Sequence, residues 1–215
     1  MTDDTLTHIE FLLDRSGSMQ SIKTDVEGGY DAFISEQRKT PGDCTVSLSQ
    51  FDDRFDVVYT DVRLEDVPPL ALQPRGSTAM LDAIGRSVTD LGARLATLPE
   101  ERRPGTVLVA IMTDGMENAS REWTYEAVHA LISQQEQTYG WTFLYMGADQ
   151  DAIEVGARMG IAKERSLTYG RGRSREAYAA ASDSVSAYRS MPAAAPAQAR
   201  RDAAAFTDKQ RRDAQ

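Results

Sequence analysis

The chain has 215 residues, a formal net charge of −9, 41% hydrophobic and 27% charged residues. That balance allows a folded core and excludes wholesale disorder. It also argues against nonspecific nucleic-acid binding, and no run approaches the about 20 apolar residues that span a bilayer, so neither nucleic acid nor membrane is an expected partner.

The N-terminus, Met1-Thr2-Asp3-Asp4, is acidic and does not read as a secretory signal. A single cysteine, Cys44, cannot form an internal disulfide and reads as a small buried hydrophobe at the start of a strand. Together these predict a cytoplasmic protein. His8 and His129 do not stand at the spacing of a histidine zinc protease.

In chain order, His8 to Leu13 is a short apolar run that predicts a buried strand. Ile22, Val26, Phe33 and Ile34 fall at helical spacing over residues 22–38, with Ser21 or Thr24 as the N-cap. Cys44 to Phe51 and Phe55 to Tyr59 read as two strands joined by the turn Asp52-Asp53-Arg54, a hairpin. Leu81, Ile84, Val88, Leu91, Leu95 and Leu98 follow steps of three and four, the clearest helix in the chain. Thr106 to Met112 is continuously apolar and β-branched, which suits a strand covered on both faces. A helix over 124–137, a strand over 141–146, a short helix over 151–159 and a short strand over 166–169 complete the pattern.

Strands alternating with helices predict an α/β sandwich. Its sheet is mostly parallel, with one antiparallel edge strand from the hairpin and helices on both faces. The charge is unevenly placed, with a net −13 over residues 1–165 and +4 over 166–215. This shift predicts a domain over 1–165, then a basic linker and helix over 166–190, the helix packed on the domain or docked elsewhere. An Ala-rich flexible tail follows over 191–215. The basic run Gly170 to Arg175 reads as linker rather than as an RNA-binding patch, since only Tyr169 supplies an aromatic beside it.

In open sheets of this kind, ligands bind beyond the carboxyl ends of the strands. The first strand ends in Asp14-Arg15-Ser16-Gly17-Ser18. One carboxylate and two hydroxyls at a spacing of two put three oxygens on one loop, half of the octahedral shell that Mg²⁺ takes. Gly76-Ser77-Thr78 precedes the clearest helix, and Thr113-Asp114-Gly115 ends the most apolar strand.

These three segments, in this order, resemble the von Willebrand factor A domain and its metal-ion-dependent adhesion site (MIDAS), over roughly residues 6–165. The resemblance implies a Rossmann-like sandwich with an intact site, of the prokaryotic intracellular type. It implies that Asp14, Ser16, Ser18 and Thr78 hold Mg²⁺, with Mn²⁺ or Ca²⁺ as substitutes, directly or through water. Asp114 would act mostly through water. The implied function is a protein–protein interaction module, not an enzyme. Its ion binds the Asp or Glu of a partner protein, and an AAA+ ATPase or stress-response complex is the implied setting.

Arg15, Met19, Met116 and Glu117 flank these loops and are candidates for a partner-binding rim. Met19 and Met116 would equally pack on neighbouring loops. Asp52 and Asp53 read as a solvated turn. The alternative function is a Mg²⁺-dependent phosphohydrolase of an α/β fold. Its aspartyl chemistry needs a second Asp two residues after the nucleophile, where this chain has Ser16.

Overall fold

The apolar run at residues 106–112 forms the centre of a six-stranded sheet. The computed structural model describes residues 2–192 and 195–215. Its strands are β1 (Asp3–Asp14), β2 (Asp43–Phe51), β3 (Phe55–Arg63), β4 (Pro104–Thr113), β5 (Thr142–Ala148) and β6 (Ser166–Tyr169). They are interleaved with helices α1 (Lys23–Gln37), α2 (Met80–Thr97), α3 (Tyr125–Tyr139), α4 (Ala152–Arg158) and α5 (Ser174–Arg189). Two short helices follow, α6 (Ala197–Ala203) and α7 (Asp208–Asp213).

The sheet order is β3-β2-β1-β4-β5-β6. Every neighbouring pair is parallel except β2 and β3. The chain therefore winds outward from β1 to β3, then restarts at β4 on the other side of β1. That reversal opens a crevice beyond the carboxyl ends of β1 and β4. The register pairs Leu13 with Met112, so the two strands end level and Asp14 and Thr113 stand side by side.

Both faces of the sheet are covered, which is why β4 is apolar over Val107 to Met112 without alternation. One face, with Phe11, Leu13, Leu48, Ala110 and Met146, packs with α1 and α5. The other, with Leu12, Ile111, Phe143 and Tyr145, packs with α2, α3 and α4. Gly29 of α1 lets α5 approach closely, since a Cβ there would lie 2.5 Å from the ring of Tyr178. Cys44 is buried, and burial pushes its thiol up to about 11.

One local expectation differs at the start of α1. Neither Ser21 nor Thr24 caps α1, whose N-cap position is Ile22. A 3-10 turn over Gly17–Ser21 runs straight into that helix instead. Of the two alternatives for the helix after residue 165, packing on the domain is the one observed. β6 is an edge strand of the sheet, and Ala177, Ala181, Val185 and Tyr188 of α5 are buried with α1.

The expected flexible tail folds into α6 and α7. Ala204, Phe206 and Ala214 are buried in that core, and Gly170 N–H donates to the Ala214 carbonyl at 2.8 Å. Arg211 donates to the Ser166 and Lys163 carbonyls, each at 2.7 Å. The shift to alanine and positive charge thus marks close packing of small residues and main-chain anchoring by arginine. Ala193 and Ala194 of the Ala-rich stretch lie outside the described residues.

Candidate metal centre

The loop after β1 is held by main-chain bonds. Arg15 N–H donates to the Phe51 carbonyl at 2.8 Å, Gly17 N–H to Gly76 at 3.2 Å, and Arg75 N–H to Arg15 at 2.8 Å. Within the loop Asp14 Oδ1 accepts from Ser16 N–H at 2.6 Å, a tight turn that carries the chain back over the strand end. Asp14 Oδ2 accepts from the Thr113 hydroxyl. Ser16 Oγ lies 3.0 Å from Ser18 Oγ, and Ser18 Oγ donates to Asp114 Oδ1 at 2.6 Å.

Thr78 sits two residues before α2. Its N–H donates to Asn118 Oδ1 at 2.9 Å, and its carbonyl accepts from Asn118 N–H at 3.0 Å. Gly115 closes the cluster. A Cβ at that position would lie 2.9 Å from Thr78 Oγ1, 3.5 Å from Ser18 Oγ and 3.7 Å from Asp14 Oδ2. The sequence-predicted oxygens of Asp14, Ser16, Ser18, Thr78 and Asp114 therefore gather at one place, around a space that any side chain at residue 115 would fill.

The electrostatics of the cluster are costly without a cation. Asp14 is fully buried, and burial pushes its carboxyl up to about 6. The Thr113 hydroxyl and Ser16 N–H oppose that rise, while the charge of Asp114 adds to it. Burial also raises Asp114, against the Ser18 hydroxyl and the charge of Arg171. Asp114 Oδ2 is buried and accepts no hydrogen bond. An orphaned carboxylate oxygen of this kind costs about 1–3 kcal/mol or more.

A divalent cation fits the donor set. Two carboxylates, three hydroxyls and no bulky side chain suit a hard ion that prefers oxygen and retains water. The described residues contain no cluster of three or more His, Cys, Asp and Glu side chains that could hold a metal, so hydroxyls must complete any such shell.

The rim residues divide. Met116 is exposed beside the cluster. Met19 is fully buried in the core with α1. Arg15 is buried and turned away, with Nε donating to Asp52 Oδ2 at 2.9 Å and Nη2 bonded to Asp56. Glu117 is spent on main-chain donors. Its Oε2 accepts from Leu81 N–H at 2.9 Å, in the first turn of α2, and its Oε1 from Ser120 N–H at 2.8 Å.

Asp52 is not a solvated turn residue. It is fully buried and also accepts from Arg75 Nε at 2.8 Å and Arg54 N–H at 2.7 Å. Burial alone would raise its carboxyl, but Arg75, Arg54 N–H and the charge of Arg15 hold it below the usual range.

Two residues at the cluster were not legible. Thr113 stands in the Thr-Asp-Gly motif with no role assigned to its own side chain, and it binds Asp14. Arg171 looked like linker, yet its Nη2 lies 3.7 Å from Asp114 Oδ2. The Thr-Asp-Gly motif contains the first, while only the fold brings the second to the cluster.

Solved structures share this architecture. The domain of the type V pilus tip protein Mfa5 from Porphyromonas gingivalis, described as a vWF domain, is 11% identical. It matches 83% of this chain and 94% of its own, with a TM-score of 0.57. A von Willebrand factor type A structure from Catenulispora acidiphila is 16% identical, matching 80% of this chain and 41% of its own, TM-score 0.51. The chain has the von Willebrand factor A fold.

Proximal thread matrix protein 1 of the mussel byssus, in a form whose MIDAS motif is occupied by zinc, is 19% identical. It matches 79% of this chain and 42% of its own, with a TM-score of 0.53. The chain thus spans less than half the length of the byssus and Catenulispora proteins. No protein-family model and no curated protein matches it. Among the described residues, no helix is long and apolar enough to cross a membrane.

Proposed function

We propose that this chain is a metal-dependent protein-interaction module that binds an acidic side chain of a partner protein. The observation that carries the proposal is the gathering of five oxygen-bearing side chains at the β1–β4 crevice, one of them with a buried, hydrogen-bond-free oxygen at Asp114. Asp14, Ser16, Ser18 and Thr78 would hold Mg²⁺ or a similar divalent ion, and Asp114 would act through water. A bound ion supplies an open coordination position for a carboxylate.

The protein's own groups do the rest. Thr113 and Ser16 N–H fix the Asp14 carboxylate, so both of its oxygens are oriented before an ion arrives. Glu117 and Asn118 fix the start of α2 and so position the Thr78 hydroxyl. With few charged donors, the site would leave an ion electrophilic enough to take a partner's Asp or Glu in a charge-assisted contact. Met116 offers an exposed, adaptable apolar contact beside it.

The zinc in the MIDAS motif of the byssus protein supports a divalent ion on this fold. The sequence resemblance adds a cytoplasmic setting and an AAA+ ATPase as the class of partner. Binding rather than turnover is the activity, because position 16 carries a serine where an aspartyl phosphohydrolase needs its acid–base group.

The test is capture of partners from a lysate on the immobilised full chain, in Mg²⁺ and in EDTA. A partner released by EDTA and not retained by Thr78→Ala is expected. Retention that ignores both changes would leave the crevice without a binding role.

A further inference from the structure

The run Gly170 to Arg175 leads from β6 into α5, and its first arginine returns to the metal crevice. Arg171 Nη2 lies 3.7 Å from Asp114 Oδ2 and donates to the Asp114 carbonyl at 3.4 Å. Its Nε lies 3.4 Å from Asp149 Oδ2, and its own N–H donates to Asp149 Oδ1 at 3.1 Å. The neighbouring arginines point elsewhere, Arg173 to Glu176 and Arg175 to Asp25.

The loop is held from behind. Gly170 N–H donates to the Ala214 carbonyl at 2.8 Å, and Arg173 N–H to Gly170 at 2.8 Å. The guanidinium is therefore placed rather than dangling, and its side chain is still 45% exposed. Its contacts with Asp114 and Asp149 use Nε and Nη2.

We infer that Arg171 is a specificity-determining residue of the crevice, opposing a metal ion that arrives alone and favouring one that arrives with a carboxylate. This inference rests on the metal-dependent reading above. The guanidinium stands at Asp114 Oδ2, a buried carboxylate oxygen that lacks a hydrogen bond, so a cation entering there meets a fixed positive charge. An anionic ligand removes that repulsion, and a guanidinium recognises a carboxylate through its fork of N–H donors. A partner's Asp or Glu is then bound by the ion and by Arg171 together. A neutral hydroxyl or amide gains only the ion.

The experiment is calorimetric titration of Mn²⁺ into the full chain, with sodium acetate or sodium chloride at equal ionic strength. The variants are Arg171→Gln and Arg171→Lys. In chloride, Arg171→Gln is expected to bind Mn²⁺ about tenfold more tightly than the wild type, the repulsion lost at a dielectric close to that of water. Acetate is expected to tighten Mn²⁺ binding by the wild type and to do so less in Arg171→Gln. Arg171→Lys, which keeps the charge, should follow the wild type in chloride.

Equal or weaker Mn²⁺ binding by Arg171→Gln, with an unchanged acetate effect, would overturn this inference and leave the metal reading intact. Absence of Mn²⁺ binding by the wild type would overturn both. Thermal unfolding of each variant in EDTA separates a folding defect from a change at the crevice, and an Arg171→Gln chain that unfolds like the wild type is expected.

Discussion

Thr113 donates its hydroxyl to Asp14 Oδ2, joining the ends of the two central strands at the point where the sheet reverses its winding. The same hydroxyl oxygen accepts from Gly115 N–H at 3.1 Å, so it also shapes the turn that leaves room for the cluster. Thr113→Val keeps the β-branched shape and removes the hydroxyl. It leaves a buried carboxylate short of a donor, and a loss of about 1–3 kcal/mol is expected from urea unfolding in EDTA. A stability equal to the wild type would mean that the bond contributes nothing.

Asp14 gives the metal-free chain a defined pH dependence. Its carboxyl is raised from 3.8 to about 6 in the folded state, chiefly by burial. The folded chain therefore holds this proton more tightly than the unfolded chain. The contribution is fully present below 3.8 and is lost as pH rises through about 6, a change of about 3 kcal/mol for such a shift. Unfolding in EDTA at pH 4 and at pH 7.5, for the wild type and Asp14→Asn, isolates this group. The wild type should lose more stability than the variant over that interval. Equal losses would show that Asp14 is already ionised at low pH.

Asp52 anchors the loops from beneath. It is fully buried and binds Arg15 Nε, Arg75 Nε and Arg54 N–H. Removing one partner of a buried ion pair costs about 3–5 kcal/mol. Asp52→Ala should show a loss of this order in a denaturant titration. It should also weaken Mn²⁺ binding, because Arg15 lies between Asp14 and Ser16. Unchanged stability would mean that Arg15 and Arg75 are satisfied by Asp56 alone.

The fold was legible where one physical signal dominates. The apolar run 106–112 can only be covered on both faces, and the stride of Leu81 to Leu98 can only be a helix with one buried side. The hairpin followed from two apolar runs around Asp52-Asp53-Arg54. The oxygen-bearing residues were legible because a loop at a strand end must place them outside the sheet. Long-range partnership was not legible. Nothing near Asp52 indicates that Arg15 and Arg75 converge on it, so a buried carboxylate looked like an ordinary turn residue. Met19 and Glu117 adjoin the loops in sequence, but one faces the core and the other binds the first turn of α2. Residues 166–215 misled because alanine and arginine look like linker until tight helix packing and carbonyl anchoring give them work.

That segment yields a direct test of domain extent. β6 and α5 belong to the sheet and to the core beside Phe11 and Tyr30, whose rings pack with Tyr178 at centroid distances of 5.9 and 6.1 Å. A chain ending at residue 165 exposes that core and should not unfold cooperatively, as circular dichroism on heating would show. A sharp transition like that of the full chain would restore the boundary suggested by composition.

The central claim is that the β1–β4 crevice holds a divalent ion. The thermal midpoint of the full chain against Mg²⁺ and Mn²⁺, compared with Asp14→Asn, tests it most directly. Linkage gives a stabilisation of about 2.7 kcal/mol at a hundredfold excess over the dissociation constant. A rise in midpoint with either metal in the wild type, absent in Asp14→Asn, is the expected result. A midpoint insensitive to both metals, or a rise that survives in the variant, would contradict the claim.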